Sequence, residues 1–169
     1  MSADRSGYRA PLTWTLAAAI AVALAGCGGK TAPKESEYNK NFACKDRQVA
    51  YIATNVFAGP QVGVVVDCAE RGPRIKRWVV IDENGGKKTG DKSLTAIEFD
   101  ELWEKIESTG WRNLSDCENP NAAEGDPAYR YRISDAEQTV NLACAGNELP
   151  FPFNRMTNEL DLIVAKYGL

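Results

Sequence analysis

The stretch Val62–Asp82, VGVVVDCAERGPRIKRWVVID, contains two runs rich in β-branched residues. The runs are Val62–Cys68 and Ile75–Asp82, and the residues Arg71-Gly72-Pro73 between them are typical of a loop. Branched side chains favour strands because they pack well on a pleated surface. The stretch therefore predicts an antiparallel hairpin with a loop of several residues.

The segments on either side of the hairpin are less regular. Val49–Phe57 (VAYIATNVF) fits one face of a helix, but its β-branched content and the Gly59-Pro60 stop favour a strand. We interpret this segment as a strand. After the hairpin, Asp82–Gly86 predicts a turn, and the Lys-rich segment up to Ser93 predicts a polar loop.

The next element has a defined start and a single apolar face. Thr95 and Glu98 have the spacing of a capping box, in which each side chain satisfies a backbone N–H at the start of a helix. Gly110 predicts the end of the helix, because glycine adopts the left-handed conformation found there. Apolar residues at helical spacing predict the buried face, and they are Phe99, Leu102, Trp103 and Ile106.

The second half of the chain repeats the order of hairpin and helix. Tyr129–Ile133 and Val140–Cys144 alternate apolar and polar residues around a turn at Ser134–Glu137. Leu149–Phe153 (LPFPF) predicts an extended connector, because a residue before proline disfavours helix. A final helix is expected from about Arg155 to Tyr167.

The order of these elements, β-β-β-α-β-β-α, predicts an α+β fold. About five strands joined by hairpins, without βαβ alternation, favour an antiparallel sheet. The two amphipathic helices are expected to pack on one face of this sheet, since each has only one apolar side to bury.

The composition includes five cysteines and no histidine. Four of the cysteines predict two disulfides, for which three pairings are possible. We favour Cys44 with Cys68 and Cys117 with Cys144, because each bond then links neighbouring segments. A zinc site built from all four thiolates is the alternative, although the chain has no Cys-x-x-Cys pair to form its first half.

The same composition excludes several classes of function. Without histidine the chain has no Ser-His-Asp or Cys-His nucleophile, and it lacks the usual ligand of catalytic zinc, copper and haem iron. It contains no Gly-x-Ser-x-Gly, Gly-x-Gly-x-x-Gly or P-loop motif. Its net charge of −3 argues against nucleic-acid binding. We therefore predict a protein that is not an enzyme, with no catalytic residue, metal site or cofactor.

The N-terminal segment has the pattern of an export signal. Two arginines precede the apolar run Leu12–Ala25, which is shorter than the roughly 20 residues that a spanning helix needs. The run ends in Leu24-Ala25-Gly26-Cys27, which resembles the lipobox of bacterial lipoproteins. This resemblance implies a signal peptide over residues 1–26, cleavage before Cys27, and acylation of Cys27 as the anchor in the lipid bilayer.

The residues that follow predict a spacer between the anchor and the domain. Residues 27–41 are mostly small and polar, which is typical of a flexible tether, and a single domain is expected over 42–169. Gly28 stands where inner-membrane lipoproteins of enterobacterial type carry aspartate. By this resemblance the outer membrane is favoured over the inner membrane.

Two features are candidates for a partner surface. Arg130 and Arg132 lie on the same side of a predicted strand, where they either bind an anionic group or deter edge pairing. Phe151 and Phe153 either present aromatic rings to a partner or seal the core under the last helix.

From the first helix onward the chain resembles small uncharacterised bacterial lipoproteins and secreted proteins. The shared motifs are Leu102-Trp103, Gly110-Trp111, Asp126–Tyr129, Cys144–Gly146 and Leu149–Pro152. This resemblance implies no activity. The sequence therefore favours a membrane-anchored envelope lipoprotein that acts as a binding or assembly module for a protein of the envelope. The alternatives are an inhibitor of an exported enzyme and a carboxylate-based hydrolase.

We predict that protein extracted from its native membrane begins at Cys27 and carries a diacylglycerol and an amide-linked acyl chain. Intact-mass spectrometry checks this expectation, and each disulfide lowers the mass by two further hydrogens. A chain that retains an unmodified Met1 would refute the targeting hypothesis.

Overall fold

A six-stranded antiparallel sheet forms the centre of this computed structural model, which describes residues 44, 46–69, 72–81 and 85–169. The expected signal segment, the anchor Cys27 and the tether lie outside the described residues. The strands lie in the order β4-β3-β2-β1-β5-β6. Their bounds are β1 Gln48–Val56, β2 Gly59–Ala69, β3 Gly72–Val80, β4 Lys87–Ser93, β5 Ala128–Ser134 and β6 Thr139–Ala145.

The predicted α+β class is confirmed. Residues on one face of each inner strand are buried, as alternation along the chain predicts: Val49 in β1, Val64 in β2, Ile75 in β3 and Ile133 in β5 are each 0% exposed. The ambiguous segment Val49–Phe57 is a strand as far as Val56, as favoured, and Phe57 lies in the turn that follows. The hairpin of β2 and β3 is tighter than expected, because Gly72 pairs with Ala69 and belongs to β3.

The prediction of a loop up to Ser93 is wrong, because Lys87–Ser93 forms an additional strand, β4, which raises the number of strands from five to six. This strand lies at the edge of the sheet, and six of its seven residues are exposed. An edge strand with little to bury needs no apolar alternation, so its pattern resembles that of a loop. Its three lysines are also typical of edges that must not pair with another chain.

The first helix, α1, spans Ala96–Glu107 and begins as predicted. Thr95 Oγ1 accepts from the Glu98 N–H at 3.2 Å, and Glu98 Oε2 accepts from the Thr95 N–H at 2.8 Å. The predicted role of Gly110 is wrong, because α1 ends three residues before it. Gly110 is left-handed, with φ 68°, and starts the single 3₁₀ turn Trp111–Asn113.

The second helix, α2, spans Phe153–Tyr167 and begins two residues earlier than expected. Pro152 stands at its N-cap, and the helix start tolerates proline because N–H groups there have no partner within the helix. Met156, Leu160 and Val164 lie on its buried side.

Both helices pack on the same face of the sheet, as predicted. Their buried side chains form one core with the inner strands. Within α1 the rings of Trp103 and Phe99 are stacked, with their centroids 6.1 Å apart. Lys105 Nζ of α1 also donates to Glu159 Oε2 of α2 at 2.6 Å. No helix in the described ranges is long and apolar enough to cross a membrane.

Two disulfides brace the fold. Cys44 pairs with Cys68 and Cys117 pairs with Cys144, with Cα–Cα distances of 5.7 and 4.9 Å, which confirms the favoured pairing. The four cysteines lie in two separate bonds, so they do not form the alternative zinc site. Beside the second bond, Asp116 Oδ1 accepts from the Ala143 N–H at 2.7 Å and covers the outer edge of β6.

Glu98 joins the start of α1 to the end of α2. Its carboxylate accepts from Lys166 Nζ, from the Thr95 N–H and from Tyr167 Oη at 2.8 Å. Burial acts to raise the pKa of Glu98, but these hydrogen bonds outweigh it and lower the pKa to about 2.

We expect Glu98→Gln to lower the free energy of unfolding at neutral pH by about 1 kcal/mol, allowing for solvent screening. Because the pKa of Glu98 is lowered on folding, the carboxylate stabilises the fold at pH values above the ordinary pKa of 4.5, and this contribution is lost as the pH falls towards 2. Urea denaturation of both proteins at several pH values checks the prediction. A difference that does not shrink in acid would contradict it.

Candidate functional site

The face of the sheet opposite the helices is open. Side chains alternate along each strand, so Tyr51 lies in the core while its neighbours Ala50 and Ile52 lie on the open face. Cross-strand pairing places Ile52 between Gly63 of β2 and Arg130 of β5. The register that buries the core thus also determines which residues meet on the open face.

Two rows of side chains cross the open face. The first row is Trp78, Gly63, Ile52 and Arg130, and the second row is Lys76, Val65, Ala50 and Arg132. In both rows small or apolar residues occupy β1 and β2, a larger residue lies on β3, and an arginine lies on β5. The rows span about 14 Å from β3 to β5, given a strand spacing of about 4.8 Å.

A cavity of about 610 Å³ lies along these rows. We call it the open-face groove, and its defining residues are Ala50, Ile52, Val65, Trp78, Arg130 and Arg132. Its floor is apolar, whereas one of its walls carries two cations. Such a combination suits a ligand that has both an apolar part and negative charge.

Trp78 lies flat on the sheet because its neighbour in β2 is glycine. A Cβ atom added to Gly63 would lie 1.9 Å from the Trp78 ring, so the ring occupies the space above the Gly63 backbone. Lys87 Nζ, from the neighbouring strand β4, lies 5.0 Å from the centroid of the Trp78 ring. This cation–π contact and the close approach together hold the indole in place.

Arg130 and Arg132 extend from β5 at the opposite wall of the groove, and both are exposed. Within the part of the chain that the structure describes, neither guanidinium takes part in a salt bridge or a side-chain hydrogen bond. Arg74, on the same face, instead donates from Nε to Asp67 Oδ1 at 2.9 Å. The two arginines of β5 are therefore available to an external anion.

Two acidic residues also line the groove, but they lie far apart. Asp67 is on β2 and pairs with Arg74, whereas Asp116 lies beside β6 and accepts from the Ala143 N–H. The strands β2 and β6 are three spacings apart, or about 14 Å. Paired catalytic carboxylates of glycosidases lie about 5 to 9.5 Å apart. The groove acids therefore do not have the geometry of the hydrolase alternative.

The structure separates the two aromatic residues that the sequence proposed for a partner surface. Phe151 is 66% exposed, on the connector before α2. Phe153 is only 4% exposed, and its ring centroid lies 5.4 Å from that of Tyr131. The interpretation of Phe153 as part of a partner surface is therefore wrong, and the residue belongs to the core. It begins the buried stripe of α2, which explains why it turns inward.

In the loop between the 3₁₀ turn and β5, the Asp126 carboxylate makes two hydrogen bonds that hold the local shape. Asp126 Oδ2 accepts from the Ala123 N–H at 2.8 Å, and Asp126 Oδ1 accepts from Asn147 Nδ2 at 2.7 Å. No group of three or more Cys, Asp or Glu side chains in the described ranges is placed to hold a metal ion.

Sequence reasoning found the arginines of the groove but missed Trp78, Ile52 and Gly63. The available signal was Gly63, since a glycine inside a β-branched run often marks the close approach of another group. No family model matches the chain, and no curated protein matches it.

We expect Gly63→Ala to lower the free energy of unfolding by about 1–3 kcal/mol, because the new methyl group overlaps the Trp78 ring. In a Trp78→Ala background the same change should have little cost or a small gain, since alanine restricts the unfolded chain. Denaturation of the wild type, both single variants and the double variant completes the cycle. Equal costs in the two backgrounds would show that the ring does not cause the effect.

Proposed function

We propose that the chain is a lipid-anchored lipoprotein of the bacterial envelope that binds an acidic segment of a partner protein in the open-face groove, without catalysis. The anchor is supported by the apolar run Leu12–Ala25 and the tetrad Leu24–Cys27. The two disulfides are consistent with an oxidising, exported environment. Gly28 after the anchor favours the outer membrane.

The observation that carries the binding role is the pair of unpartnered arginines beside an apolar floor. Arg130 and Arg132 are two residues apart on β5, so their Cα atoms lie about 7 Å apart on one side of the strand. Each guanidinium presents a planar fork that matches a carboxylate. Trp78 lies across the floor, and tryptophan and arginine are the residues most enriched at interface hot spots.

The dimensions of the groove favour a protein segment over a small anion. A free anion would engage the arginines but leave the floor of Ala50, Ile52 and Val65 in water. A segment that carries carboxylates beside apolar side chains covers both parts at once. We therefore expect affinity to come from the floor and Trp78, whereas the arginines provide selectivity, rapid association and sensitivity to salt.

A photo-crosslinking experiment in native membranes tests this proposal. A benzoylphenylalanine at Ile52 lies in the groove, and the same residue at Leu162 on the outer side of α2 is the control. We expect the Ile52 probe to give a crosslink that the Leu162 probe does not. Mass spectrometry of the crosslinked peptide should identify an acidic sequence.

The arginines are tested with charge reversals in the Ile52 probe background. Arg130→Glu with Arg132→Glu should reduce the crosslink about tenfold or more, because the reversed charges repel an acidic segment. Arg155→Glu, an exposed reversal on α2, is the matched control and should leave the yield unchanged. A crosslink to a basic segment, to lipid or to another copy of this chain would overturn the proposed partner class. So would a yield that the reversals leave unchanged.

A further inference from the structure

A second cavity, of about 410 Å³, lies on the helix-covered side of the sheet. It is formed between α2 and the strands β1, β2, β3 and β5. We call it the helix-side cavity, and its defining residues are Tyr51, Val62, Arg77, Tyr129, Asp161 and Val164. The volume is within the range of about 300–1,000 Å³ that small-molecule sites have.

One polar end of the cavity is built around Asp161. Tyr51 Oη donates to Asp161 Oδ1 at 2.5 Å, and the Tyr51 ring is almost fully buried. Asp161 Oδ2 makes no hydrogen bond or ion pair among the described residues. The ring of Tyr129 lies 6.1 Å from that of Tyr51, so two aromatic rings lie near the carboxylate.

The other polar end is Arg77. Its Nη1 donates to the main-chain oxygen of Leu169 at 3.2 Å, and its remaining N–H groups have no partner among the described residues. Arg77 and Asp161 line the same cavity without forming an ion pair. Burial raises the pKa of Asp161, while the hydrogen bond from Tyr51 and the charge of Arg77 act in the opposite direction. The two charges therefore interact across the cavity without direct contact.

The rest of the cavity wall is mostly apolar and includes Val56, Val62 and Val164, with Thr157 as its one further polar side chain among the described residues. A ligand that fits must satisfy a carboxylate, a guanidinium and an apolar wall together. A molecule with only one charge would engage only one of the two groups and leave the other to solvent, because Asp161 is exposed and Arg77 is half-buried.

We propose that the helix-side cavity binds a small zwitterion with an apolar side chain, of the free α-amino acid class. The ammonium group lies at Asp161 Oδ2 beside the two tyrosine rings, which favour a cation. The carboxylate accepts from the free N–H groups of Arg77, and the side chain contacts the valines. This site is on the opposite side of the sheet from the open-face groove, so it does not depend on the proposed partner.

The test compares L-leucine with two analogues, each of which lacks one of its charges. The purified full-length protein is titrated by NMR with L-leucine, with leucinamide, which lacks the carboxylate, and with N-acetyl-leucine, which lacks the ammonium group. We expect a saturable shift at the helix-side cavity with leucine and at least about tenfold weaker binding of both analogues. Glycine and L-phenylalanine, titrated in the same way, report on the size of the side-chain site.

Two variants assign the charges to their residues. Asp161→Asn keeps an acceptor for Tyr51 and should weaken leucine binding about tenfold, while N-acetyl-leucine then binds as well as leucine. Arg77→Gln should likewise weaken leucine binding about tenfold, while leucinamide then binds as well as leucine. Arg130→Gln, in the open-face groove, is the control and should leave leucine binding unchanged. Thermal unfolding of each variant verifies that it folds.

The wild-type comparison of probes remains decisive even where a variant fails to fold. Absence of a saturable shift with leucine, glycine and phenylalanine at millimolar concentration would overturn the proposal. Equal binding of leucine and its two single-charge analogues would overturn it as well. Neither result would affect the crosslinking test of the open-face groove.

Discussion

The packing of both helices on one face of the antiparallel sheet is the constraint on which the rest of the structure depends. Val49, Val64 and Ile75 are fully buried there, and a shift of any inner strand by one residue would turn its apolar side chains to the other face. The core therefore determines the register of the inner strands. The open face follows from that register, although none of its residues contributes to the core.

Two cavities result from this arrangement, one on each side of the sheet. β1 contributes to both, because Tyr51 extends towards α2 and its neighbour Ile52 extends into the open-face groove. The groove is broad and suits a protein segment, whereas the helix-side cavity is smaller and suits a small molecule. A domain held at the membrane by an acylated Cys27 would present both sites to the same compartment.

Both edges of the sheet are protected against pairing with another chain, which leaves its faces for binding. β4 carries lysines along an exposed edge, and Asp116 with Cys117 covers the edge of β6 through hydrogen bonds to Ala143. Both devices prevent the addition of a further strand from another chain. The Cys117–Cys144 disulfide holds the covering segment in place.

Local patterns in the sequence determined the capping box at Thr95, the positions of five strands and the α+β class, because each depends on residues close in the chain. They also favoured the observed disulfide pairing among the three that the cysteine count allows. β4 escaped prediction because an exposed edge strand has almost no apolar side to reveal it. Only the tertiary structure decided that Trp78 lies over Gly63 in line with Arg130, and that Asp161 meets Tyr51, 110 residues away. Such contacts depend on strand order and helix placement, which the burial of the whole core selects and no local pattern encodes.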